Sequence, residues 1–353
     1  MTPSPGIAAL WASVLLATGV GCTPASYSQG STSIAAAVRT TTFPVTFEQE
    51  AGGTKRTVVR AAPPARPSAA VAARADDAAL PPRPAAPPRA TTYVPGTPQP
   101  AAFALIIGIE KYRNAPAPTG ARADAERFRE LARTTLGIPE RNIRLLLDDA
   151  ATRTDIEAEL DWLKASVRAG GRIYFYFSGH GAPDPSAGTP YLLPSNGRPD
   201  ALARTALPLA EVMRALSETN AREVLAFVDS CFSGAGGRSV LPPGARPLVA
   251  VKAEEAAQRL ALFTAASGAE ISGPDQDGSG GLFTKYLLQG LGGARADMNG
   301  DGQVSLQELA DWVRPRVEAE AKRQNRGQRP GVVLGRGLSA AADVIVVSGV
   351  EAR

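Results

Sequence analysis

Beyond residue 101 the chain alternates short apolar runs with longer amphipathic stretches. The runs at 102–109, 142–147, 172–177, 224–228 and 261–266 are rich in branched and aromatic residues. They show no polar alternation, which predicts strands covered on both faces, as in a parallel sheet. A shorter run at 191–193 predicts a minor strand. Between these lie predicted helices over about 120–133, 154–167, 209–219 and 281–291, the second opened by Thr154 and Glu157 as a capping box. A further helix is predicted from 306 to 317, interrupted near Pro315, and 342–347 reads as an edge strand or docking segment. Strands alternating with helices predict an α/β fold, a mostly parallel sheet between helical layers.

The first hundred residues follow another pattern. Residues 7–21 form an apolar stretch of signal-peptide length, too short for a membrane span, with no Lys or Arg before Arg39. Gly21 and Cys22 follow, resembling a bacterial lipoprotein box, although Gly19 stands where leucine is usual. Residues 1–22 are therefore expected to be a signal or lipoprotein-like segment. Export to the cell envelope with anchoring through Cys22 is the expectation, and a cytoplasmic location stays open. Residues 23–101 are Ser/Thr-rich and then Pro/Ala/Arg-rich, with a short β-like patch at 42–47. Proline at this density removes the donors that helices and sheets need, so an extended, semi-rigid linker is expected. The globular domain is placed at 102–318 and a C-terminal tail at 319–353.

Charge and cysteine count narrow the chemistry. The net charge of +4 is modest and no basic cluster carries interleaved aromatics, so nucleic acid is not an expected partner. With Cys22 removed or acylated, Cys231 is the last of two cysteines, and no intramolecular disulfide can form. A zinc or redox role would need a second ligand thiol or imidazole, and His180 is the only histidine.

His180 and Cys231 each follow a predicted buried strand and lie about 50 residues apart. Open α/β sheets place their sites outside the carboxyl ends of strands. A thiol and an imidazole there supply a nucleophile and its base. Neighbouring glycines allow close substrate approach and free main-chain N–H groups for an oxyanion. The blocks Tyr-Phe-Tyr-Phe-Ser-Gly-His-Gly at 174–181 and Val-Asp-Ser-Cys-Phe-Ser-Gly at 228–234 resemble the two signatures of the caspase-like superfamily. They are closest to its metacaspase and bacterial caspase-like branch, and the resemblance spans roughly 102–318.

That resemblance implies a caspase-like three-layer α/β/α sandwich and a cysteine endopeptidase. His180 would be the general base, Cys231 the nucleophile, and the N–H groups of Gly181 and Cys231 the oxyanion hole. Asp124 and Asp229 match the acids with which metacaspases hold Arg or Lys before the scissile bond, so polypeptides with a basic residue there are the expected substrates. Ala121 stands where that family often has cysteine. An Asp-specific peptidase is the alternative, which two pocket carboxylates would repel.

Two further segments bear on regulation. Residues 233–260 show little periodicity, and long structureless loops are usually functional or mobile. By the resemblance this is a self-processing segment, with Arg238 and Lys252 as candidate sites; Arg246 is followed by Pro247. Residues 297–308 fit a twelve-residue EF-hand calcium loop: Asp297, Asn299 and Asp301, the turn glycine Gly302, the Gln303 carbonyl, Ser305, and Glu308 with both oxygens. A single loop suggests structural calcium or modest regulation. A calcium-binding surface interaction protein that keeps the fold without activity is the reading from another class.

Overall fold

The computed structural model describes residues 93–184, 188–232, 259–266, 270 and 272–350. The expectations for 1–92, including Cys22 and the 42–47 patch, and those for Arg238, Arg246 and Lys252 lie outside the described residues.

Among the described residues the long apolar runs assemble one six-stranded sheet. It comprises β1 (Ala102–Gly108), β2 (Ile143–Leu147), β3 (Arg172–Ser178), β7 (Glu223–Asp229), β8 (Leu260–Thr264) and β10 (Gly331–Leu334), in the order β10-β8-β7-β3-β1-β2. All neighbours run parallel except β10, which is antiparallel to β8. A parallel sheet must be covered on both faces, and side chains alternate between them. On β1, Ala104 and Ile106 enter one core while Leu105 and Ile107 enter the other. On β3, Tyr174 and Tyr176 divide from Phe175 and Phe177 in the same way.

The first face carries α1 (Ala121–Thr134), α5 (Leu282–Gly292) and α6 (Leu306–Arg323). Phe128 of α1 stacks on Tyr176 with ring centroids 4.3 Å apart. The second face carries α2 (Arg153–Ser166) and α4 (Leu209–Ser217). The result is the expected layered α/β architecture.

Several local expectations are corrected. The capping box of α2 is Thr152 with Asp155, not Thr154 with Glu157: Thr152 Oγ1 accepts from Asp155 N at 3.3 Å, and Thr152 N donates to Asp155 Oδ2 at 3.2 Å. Both pairs share the three-residue spacing, and Asn196 decides between them by accepting from Arg153 N at 3.1 Å, which holds the earlier start. The helix from Leu306 is not interrupted at Pro315 but runs on to Arg323. A mid-helix proline costs about 3 kcal/mol; burial of Val313, Val317 and Ala321 in the core shared with α5 offsets it.

Residues 319–353, expected as a tail, supply the end of α6, strand β10 and β11 (Ile345–Ser348). β11 pairs antiparallel with β9 (Gln303–Ser305), which lies inside the expected calcium loop. A small three-stranded sheet, β4 (Gly181–Pro183), β5 (Pro190–Leu192) and β6 (Leu207–Pro208), follows the histidine directly. A four-residue helix, α3 (Leu202–Thr205), precedes β6.

Candidate active site

β3 and β7 are adjacent and in parallel register, with Ser178 opposite Asp229. His180 and Cys231 each lie two residues past that rung, on strands roughly 4.8 Å apart. The two loops remain in contact beyond the strands. Gly179 N donates to Asp229 O at 3.3 Å. A Cβ on Gly181 would stand 2.5 Å from Ser230 Oγ and 2.8 Å from Cys231 O. The sheet thus brings His180, Gly181 and Cys231 together at its carboxyl edge. Both Cys231 and His180 are buried, and Cys231 Sγ lies 3.9 Å from Glu270 O.

The close approach at Gly181 makes it a sensitive position. Gly181→Ala is expected to force the two loops apart and reduce turnover by about 10²-fold, the usual effect of a displacement near 1 Å. Melting temperature and peptide hydrolysis measured together would check this; full activity in the variant would show that the loops can separate without harm.

The imidazole is oriented by the loop that follows β1, which no sequence motif marks. His180 Nε2 lies 2.6 Å from the carbonyl of Pro116. A carbonyl oxygen can only accept, so Nε2 is the donor of this pair, which in a neutral ring leaves the lone pair on Nδ1. Tyr112 Oη accepts from His180 N at 2.8 Å, and its ring packs on the imidazole at 4.8 Å between centroids.

Asp148 anchors this 109–118 segment. Its Oδ1 accepts from Glu110 N at 2.9 Å and Lys111 N at 3.0 Å, and its Oδ2 meets Arg122 Nη1 at 3.0 Å. Burial alone would raise the Asp148 carboxyl, but the two amides and the guanidinium hold it below the usual carboxylate range.

The two expected pocket acids are fully buried beside the same edge. Asp124 Oδ2 accepts from Ser178 Oγ at 3.2 Å and from Gly281 N at 2.8 Å. Asp229 Oδ1 accepts from Ser272 Oγ at 2.8 Å, and Oδ2 from Thr284 Oγ1 at 2.7 Å and Thr284 N at 3.2 Å. Gly281 is the N-cap of α5 and Thr284 its third residue. Both carboxylates therefore sit on the amino terminus of one helix, where unpaired amides and the helix dipole favour negative charge. That is how two acids can be buried side by side. Asp124 Oδ1 also meets Arg127 Nη2 at 2.5 Å.

Residues 101–335 match the caspase domain of peptidase family C14. The chain belongs to the caspase-domain family. It is 33% identical over 148 residues to a probable protease of a Desulfuromonadales bacterium, a match spanning 36% of this chain and 18% of that protein. Among solved structures it is similar to a Geobacter sulfurreducens protein at 20% identity and a TM-score of 0.47, covering 67% of this chain and 94% of that one. It is also similar to caspase-1 of Spodoptera frugiperda at 12% identity and a TM-score of 0.45, covering 70% and 93%.

The expected calcium loop closes as a turn leading into α6. Gly300 and Gly302 adopt left-handed φ of +75° and +76°, the conformation the tight turn requires. Asp297 Oδ1 accepts from Gly300 N at 2.8 Å, Asp301 Oδ1 from Gln303 N at 2.8 Å, and Asn299 Oδ1 from Asp301 N at 2.9 Å. Glu308 Oε2 is held by Ser305 N and Oγ, both at 2.9 Å, as the capping box of α6. Among the described residues no three His, Cys, Asp or Glu side chains converge closely enough to hold an ion.

Proposed function

We propose that this caspase-domain protein is a cysteine endopeptidase cutting after Arg or Lys. Its support is the matched placement of His180 and Cys231 two residues past one rung of neighbouring strands. Cys231 Sγ, as thiolate, would bond to the scissile carbonyl carbon while the carbonyl electrons move onto oxygen. The N–H groups of Gly181 and Cys231 are the proposed donors to that oxyanion. His180, protonated at Nδ1 by the thiol, would pass that proton to the leaving amine as the C–N bond breaks; water then releases the acyl group. The Pro116 carbonyl keeps the other ring proton on Nε2 throughout.

The negative charges of Asp229 and Asp124 are the proposed recognition elements for a substrate guanidinium or ammonium. The same preference would allow the chain to cut itself after Arg238 or Lys252. Export and anchoring through Cys22 would hold the domain away from a membrane on its proline-rich spacer.

The test is hydrolysis of fluorogenic peptides ending in Arg, Lys or Asp by the full chain. Turnover confined to Arg and Lys is expected. Preference for the Asp peptide would overturn the assignment of the two acids.

Calcium at the 297–308 loop belongs to the same proposal. The donors are carboxylate, amide and carbonyl oxygens, which suit a hard cation. Asp297, Asn299, Asp301 and Glu308 would exchange their loop amides and the cap for the ion, joined by the Gln303 carbonyl and Ser305. At calcium about 100-fold above Kd the fold should gain roughly 2.7 kcal/mol, seen as a higher melting temperature that Glu308→Gln abolishes. An unchanged melting temperature across millimolar calcium would exclude the site. A calcium response without turnover of any peptide would favour the interaction-protein reading.

A further inference from the structure

A concavity of about 530 Å³ opens at the other end of the sheet, among the first residues of the strands whose last residues carry the candidate site. Arg172 and Glu223 form its floor from facing positions at the starts of β3 and β7, and Arg222 and Arg259 flank them. The β9–β11 ribbon closes the far side with Gln303 and Ser348, and Thr97 and Gln99 close a third.

The charge in this cleft is unbalanced. Arg172 is held firmly: Nη2 lies 2.6 Å from Glu223 Oε2, and Nη1 donates to Tyr174 Oη at 3.2 Å and to Gln99 Oε1 at 3.4 Å. Arg222 and Arg259 are exposed at the rim, and neither has an ion pair or side-chain hydrogen bond among the described residues. The remaining acid of the lining, Asp343, likewise has no ion pair there. Three guanidiniums therefore face one concavity with two carboxylates, and only one guanidinium is neutralised by contact. The two guanidiniums left over are available to pair with an anion entering the concavity.

The lining also indicates the class of anion. Guanidinium groups match oxyanions through paired N–H donors. The hydroxyls of Thr97 and Ser348 and the amide of Gln303 can serve the further oxygens of a tetrahedral group, which a carboxylate lacks, while the Gln99 amide is spent on Leu136 O and Tyr174 Oη. Among the described residues no aromatic ring lines the cleft and Ile345 is its one large apolar side chain, so they offer nothing to a stacked base. We propose that this cleft binds a small polyvalent oxyanion of the phosphate class, with Arg222 and Arg259 as the adjustable clamps and Arg172 as the fixed base.

The test is calorimetric titration of the full chain with inorganic phosphate and with pyrophosphate, in calcium-free chloride buffer, beside succinate at equal ionic strength. Saturable binding, tighter for pyrophosphate and absent for succinate, is expected. Arg222→Ala and Arg259→Ala should each weaken it about tenfold or more, and the double variant should abolish it. Both residues are exposed, so the fold should survive, which the melting temperature of each variant checks. No saturable heat with either phosphate would overturn the proposal, as would unchanged binding by the double variant. Equal binding of succinate would overturn the assignment to phosphate. None of these readouts depends on peptidase activity, so this site and the proposed chemistry stand or fall separately.

Discussion

Cys231→Ala is expected to abolish hydrolysis of Arg and Lys peptides, a loss of roughly 10⁴-fold or more, as when the nucleophile of a comparable hydrolase is removed. The substitution deletes the atom that must bond to the scissile carbonyl. Cys231 is buried, but its Sγ contact with Glu270 O is long, at 3.9 Å. Losing one sulfur from a packed site should lower stability by about 1 kcal/mol, a typical single-substitution effect. Activity and melting temperature should therefore separate cleanly. If the variant kept its turnover, another group would be the nucleophile, and the meeting of His180 and Cys231 at the sheet edge would have no catalytic meaning.

The second large effect is expected at Asp229, where recognition and architecture compete. Asp229 Oδ1 and Oδ2 together accept three hydrogen bonds from Ser272 and Thr284. Asp229→Ala would strand those donors in the core, at about 1–3 kcal/mol for each buried group left unpaired. Lost activity in that variant would not distinguish a pocket from a prop. Asp229→Asn does, because its amide oxygen still accepts while the charge is gone. We expect Asp229→Asn to stay folded, yet to lose about 10²-fold or more in kcat/KM for an Arg peptide, the scale of removing one partner from a desolvated charge pair.

Asp124→Asn should do less to recognition, because Arg127 already shares that carboxylate. Equal kcat/KM for Asp229→Asn and the parent would make Asp229 purely architectural, tied to the amino terminus of α5.

The parts of the fold that were legible in the sequence are those with a periodic signal. A strand buried on both faces must be apolar at every position, so β1, β3 and β7 were visible as runs. The glycines beside His180 and Cys231 marked where those runs turn into loops. Less was legible where the signal was short or shared. Thr152/Asp155 and Thr154/Glu157 satisfy one spacing rule, and Asn196, distant in sequence, decides between them. Pro315 predicts an interruption, which packing of α6 against α5 overrides.

The partners of the site were least legible. The Pro116 carbonyl that orients His180 is main chain, a group every residue possesses, so no residue type advertises it. Ser272 and Thr284 are ordinary polar residues until the fold places them on Asp229. By itself the sequence determined the layered α/β class and the family, because burial and chemistry leave marks on residue type. Only the tertiary structure decided which ring nitrogen of His180 holds the proton, how two carboxylates can share one helix terminus, and where three arginines meet. Those depend on register and through-space approach, which join residues that have no relation along the chain.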